Sequence, residues 1–67
     1  MDTTETPSRP YRVEVRTDRS DWRTKSEWAS YTAARYEMAI VAGIRDRCEV
    51  RMTTLSHTGE WVEIDRP

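Results

Sequence analysis

Ser30-Tyr31-Thr32-Ala33-Ala34-Arg35-Tyr36-Glu37-Met38-Ala39-Ile40-Val41-Ala42-Gly43-Ile44 is the one stretch of this chain long and alanine-rich enough to read as a helix. Its alanines, with Arg35, Glu37 and Met38, favour helix intrinsically. Ser30 suits the N-cap, where a hydroxyl accepts from an otherwise orphaned backbone N–H of the first turn. Gly43 weakens the far end, so the helix should stop between Gly43 and Arg47. At about 100° per residue, Tyr31, Ala34, Met38, Val41 and Ala42 fall on one stripe. Ala33, Tyr36, Ile40 and Ile44 fall on an adjoining stripe, broken only by Glu37. Thr32, Arg35, Ala39 and Asp46 are left as a small or polar back. That apolar arc is wide for a helix that covers one side of a small sheet.

Outward from the helix, the chain reads as strands. Tyr11 to Arg16 alternates, with Tyr11, Val13 and Val15 on one face and Arg12, Glu14 and Arg16 on the other, the pattern of a half-buried strand. Thr17 to Asp21 is polar turn material. Trp22 to Trp28 alternates again, which places Trp22, Thr24, Ser26 and Trp28 together, Trp22 and Trp28 as core, and Arg23, Lys25 and Glu27 on the opposite face. After the helix, residues 48–54 form a third strand with Cys48, Val50 and Met52 inward. Ser56-His57-Thr58-Gly59-Glu60 is a hairpin turn in which Gly59 is free to take positive φ. Trp61 to Ile64 is the last strand; Val62 and Ile64 share a face and Trp61 takes the other, unless a bulge intervenes. The expected fold is α+β: ββαββ, with one helix packed on one face of a four-stranded, mainly antiparallel sheet.

Residues 1–10 lack an apolar side chain after Met1 and carry two prolines, so they read as a disordered tail before a single small domain at 11–67. A chain of 67 residues buries little surface and has a thin stability margin. Cys48 is the only cysteine and His57 the only histidine, which excludes an internal disulfide and argues against a zinc site. No metal or other cofactor is expected. Packing of the tryptophans and tyrosines, or homodimerisation through the wide helix arc, is left to stabilise the domain.

Net charge is −1, from 11 basic and 12 acidic residues, so no global field attracts nucleic acid or an anionic membrane. No apolar run approaches the roughly 18 residues that would span a bilayer, and no signal-peptide core follows Met1. With a single thiol, the expectation is a cytoplasmic protein.

The outer sheet face should carry Arg12, Arg16, Arg23, Lys25 and Arg51, with Trp61 beside them. Cations and an aromatic on a sheet resemble a platform for single-stranded nucleic acid. Glu14, Glu27 and Glu49 share that face, however, and cross-strand pairing accounts for the mixture without a ligand. If the face is nevertheless a ligand platform, reversing the charge of Arg51 should abolish binding and leave the melting temperature nearly unchanged. His57 and Cys48 are the only candidates for general base and nucleophile, and no constellation supports them. Asp18 and Asp21 read as turn residues bonded to their own backbone. No catalytic residues are expected, and no enzyme. Trp61 ranks first as a contact residue; Tyr36 and Ile40, on the second helix stripe, follow, because the core has no room for them.

Trp22, the Ser30…Ala34…Met38 helix start and the His57-Thr58-Gly59-Glu60-Trp61 turn together resemble small uncharacterised ββαββ proteins of actinobacteria and their phages. The resemblance spans about 55 residues; it implies the fold and an actinobacterial or phage source, and no activity. The functional expectation is a small interaction or regulatory protein that binds a host protein, with a nucleic-acid-binding module on the arginine-bearing sheet face as the alternative.

Overall fold

The computed structural model describes residues 9–18, 20–44 and 47–67. Its elements are β1 (Tyr11–Arg16), β2 (Arg23–Trp28), α1 (Tyr31–Ile44), β3 (Glu49–Leu55) and β4 (Trp61–Asp65). The strands form one antiparallel sheet in the order β2-β1-β3-β4. One face of the sheet takes α1, which packs over β3, β1 and β2. This is the expected ββαββ arrangement: two hairpins whose inner strands, β1 and β3, meet at the centre.

The core follows from the alternation in β1 and β3. Val13 lies opposite Met52 and Val15 opposite Val50. These four side chains meet Ala34, Met38 and Val41 of α1, three members of the stripe predicted to face inward. Tyr11, Trp28 and Ala42 pack around this cluster, half-buried. Tyr31, also predicted for this stripe, lies at its rim, its ring edge-on to Tyr11 with centroids 6.1 Å apart.

Ser30 caps the helix as its chemistry suggests: its Oγ accepts from the Ala33 N–H at 3.1 Å, and its carbonyl accepts from the Ala34 N–H at 3.1 Å. At the other hairpin, Gly59 takes φ 88°, where a side chain would be strained. The Ser56 Oγ ties that turn by accepting from the Glu60 N–H at 3.2 Å. The turn after β1 places Asp18 at φ 48°, a conformation that Asp tolerates better than most residues.

Two bulges depart from simple alternation. Val13 pairs with Ser26 but Glu14 pairs with Thr24, so Lys25 is an extra residue in β2. One extra residue reverses the facing of everything beyond it. Ser26 and Trp28 therefore face the helix as expected, Trp28 donating from Nε1 to the Ser26 Oγ at 2.7 Å. Thr24 faces the other way, and Trp22, predicted as core, leaves the core altogether. Arg23, predicted for the outer face, pairs with Val15 instead. The second bulge is Ile64, since Thr53 pairs with Glu63 and Met52 with Asp65.

Of the predicted tail, residues 1–8 lie outside the described residues. Pro10 belongs to the fold: its carbonyl accepts from the Leu55 N–H at 3.3 Å and from the Thr54 Oγ1 at 3.0 Å.

Candidate functional site

The sheet face away from α1 holds most of the charge. Arg12 bonds Glu27 at 3.0 Å, Arg16 bonds Glu49 through two contacts of 3.1 and 3.0 Å, and Arg51 bonds Glu14 at 2.8 Å. These are neighbours across the strands: Arg12 lies opposite Glu27, Glu14 opposite Arg51 and Arg16 opposite Glu49. The pairing that the mixed charges suggested is what the sheet makes.

Arg66, beyond β4, extends the network to Glu63 at 2.8 Å and to Glu49 at 3.3 Å. Glu14 is the deepest member, 6% exposed, and its second carboxylate oxygen accepts from the Thr53 hydroxyl at 3.2 Å. A buried charge is tolerable only when its partners are this complete.

Two tryptophans lie among these arginines. The Arg12 guanidinium lies over the Trp61 ring, 3.7 Å from its centroid. Trp22, turned onto this face beyond the β2 bulge, has Arg51 at 4.2 Å, Arg16 at 4.5 Å and Arg66 at 5.5 Å from its centroid. Cation–π attraction of this kind holds each ring against the charged layer. Both rings are half-buried. The outer face is thus a second, polar layer of structure whose cations already have partners.

The structure sorts the predicted contact residues into three places. Arg12, Arg16, Arg51 and Trp61 share the outer face. Lys25 is exposed at the β2 edge, in the bulge. Arg23 lines a separate pocket of about 190 Å³ with Val15, Arg16, Thr17, Ser20 and Cys48. His57 and Cys48 are not brought together. They lie at opposite ends of β3, whose seven residues separate them by roughly 20 Å. Among the described residues, no cluster of His, Cys, Asp or Glu is arranged to hold a metal ion. Nor is any described helix long and apolar enough to cross a membrane.

The remaining candidates lie on α1. Tyr36 is 72% exposed, Ile40 40% and Ile44 73%. Spacing of four residues sets them in one row along the helix. Ile44 belonged to the predicted stripe but was not ranked as a contact. The flank nearer β4 is different: the Tyr31 hydroxyl donates to Asp65 at 2.9 Å and Arg35 pairs with the same carboxylate at 2.8 Å.

Hydrogen bonds and ion pairs lower the pKa of three carboxyls, Glu49, Glu63 and Asp65. The bond from Arg16 holds Glu49 below its ordinary value of 4.5, and the bond from Arg66 does the same for Glu63. The Tyr31 hydroxyl, with Arg35 and the Arg66 N–H, holds Asp65 below 3.8. A carboxyl that is more acidic folded than unfolded contributes stability above its unfolded value and loses it as pH falls through the folded value. The melting temperature should therefore hold down to about pH 5 and drop at lower pH. Added salt should flatten the drop, because these groups are exposed. Thermal unfolding followed by circular dichroism across this range is the check, and a melting temperature indifferent to acid would mean the pairs contribute nothing.

No family model, no curated protein and no solved structure matches this chain.

Proposed function

We propose that this protein is a small, non-enzymatic interaction module that binds another protein of the cell in which it is made, using the solvent-facing side of α1. The observation that carries this reading is the exposed row Tyr36, Ile40 and Ile44 on a helix whose other side already fills the core. Apolar area removed from water contributes about 25 cal/mol per Å², so a partner that covers this row gains from burying it. A helix that is apolar on both sides is normally covered on both.

The state of the sheet face supports the same choice. A phosphate backbone arriving there would have to displace a carboxylate from each guanidinium of Arg12, Arg16, Arg51 and Arg66. Free lysines and arginines would be the better platform.

Ile40→Asp is the direct test. Ile40 is outside the core cluster, so the variant should fold with a wild-type circular dichroism spectrum. Retention of the protein's partner from lysate should be lost, while the wild-type chain keeps that partner after nuclease treatment and in high salt. Retention that disappears with nuclease, together with single-strand binding that weakens steeply with salt, would return the function to nucleic acid and the outer sheet face.

A further inference from the structure

The bulge in β2 and the pocket beside Arg23 belong to one geometry. β2 is an edge strand with β1 as its only neighbour, and Arg23, Thr24 and Lys25 are all exposed. One ladder and few side-chain contacts therefore hold its register, the condition under which strands slip. Val13 pairs with Ser26. With no extra residue, the ladder would continue as Glu14 with Lys25, Val15 with Thr24, Arg16 with Arg23 and Thr17 with Trp22. That second register is the one described by the alternation of Trp22, Thr24, Ser26 and Trp28.

In the second register Trp22 faces the helix side of the sheet, beside Thr17. The pocket of about 190 Å³ already lies there, lined by Val15, Arg16, Thr17, Ser20, Arg23 and Cys48. A cavity of about 150 Å³ holds a benzene ring, so there is room for an aromatic side chain. Arg23 also leaves the pocket wall as Trp22 enters. With Thr17 opposite Trp22, the four residues between them close the hairpin, a common loop length.

We propose that β2 exchanges between these two registers, and that Trp22 is the side chain that changes faces. In the observed register its ring lies against Arg51, Arg16 and Arg66 on the outer face. In the second it fills the pocket, while Arg23 and Lys25 turn outward. Lys25 then stands directly across from Glu14, a favourable neighbour for a carboxylate that is 6% exposed. Arg23 stands across from Arg16, a like charge, which is unfavourable. These two effects oppose each other, and loss of the cation–π contacts keeps the observed register the major one. The second register is expected at roughly 1–10% of molecules, as minor states commonly are. Its outer face is more basic by two cations, so a ligand selective for either face shifts the balance.

Relaxation-dispersion NMR of the full chain tests the exchange, since collective shifts of this kind fall between microseconds and milliseconds. Dispersion should appear at the amides of residues 22–25 and of their neighbours 14–17. Deleting Lys25 removes the extra residue and leaves the other pairs of the observed ladder in place, so the dispersion should vanish. Arg23→Glu combined with Thr24→Val acts in the opposite direction. Among the described residues Arg23 has no carboxylate partner to lose, and the new side chains suit places across from Arg16 and Val15. In this double variant the Trp22 ring should show nuclear Overhauser contacts to Cys48 and lose those to Arg51.

Absence of dispersion at residues 22–25 of the wild-type chain overturns the exchange, and so does dispersion that persists unchanged after the deletion. A Trp22 ring that keeps its contacts with Arg51 in the double variant overturns it as well. Should the deletion variant not fold, the wild-type dispersion and the double variant decide.

Discussion

Arg51→Glu should unfold this domain or bring it close to unfolding. Were the outer sheet face a ligand platform, reversing Arg51 would leave stability nearly unchanged. In the structure, however, Arg51 is the partner of a carboxylate that is 6% exposed, at 2.8 Å, and it also lies 4.2 Å from the Trp22 centroid. Removing one member of a buried pair costs about 3–5 kcal/mol, because the other charge is left without compensation. A glutamate at 51 adds repulsion directly across the strands from Glu14. Urea unfolding should show the midpoint collapse. The double variant Glu14→Val with Arg51→Met removes both charges and should recover most of the loss. Equal stability of Arg51→Glu and wild type would mean that the pair is solvated in solution.

Met52→Ala should come next in effect. Met52 is fully buried at the centre of the sheet, between Val13 of β1 and Asp65 of β4. Truncating a buried methionine to alanine costs about 2–5 kcal/mol. A domain of this length has a total stability of only about 3–10 kcal/mol, scaling from typical values per residue. The variant should lose a large share of that stability and unfold at a much lower temperature than wild type, whereas Met52→Leu, which conserves volume, should lose less than about 1.5 kcal/mol. A small effect of Met52→Ala, read from thermal unfolding, would show that the core closes around the missing atoms.

The fold was legible because its signals are local. Alternation in β1 and β3, the Ser30 cap, the alanine-rich helix and Gly59 each specify their own segment. Trp22 was not legible, and the reason is one residue. Alternation counts in twos, and the extra Lys25 in β2 reverses the count, so Trp22 and Arg23 exchange the sides that the pattern gave them. Nothing in the types of residues 22–28 marks that insertion.

The helix surface at Tyr36 and Ile40 was legible from periodicity alone, since a core that takes Ala34, Met38 and Val41 has no second side to offer. On the outer face, the mixed charges pointed to cross-strand pairing. The part played by Arg66 and Glu63 was hidden, because their pairing depends on how the chain leaves β4.

The strand order also bears on how the chain finds its fold. Each hairpin joins neighbours in sequence, and α1 closes its own bonds, so all three can form within microseconds. The seam between β1 and β3 is different in kind: even its nearest tie, Arg16 to Glu49, spans 33 positions. Joining segments so far apart costs chain entropy before any contact repays it. The buried clusters on both faces of the sheet straddle this seam, with Val13 against Met52 on one side and Glu14 against Arg51 on the other. Its meeting is expected to be the slow event on the way to the native chain, one that brings together the apolar layer and the charged layer.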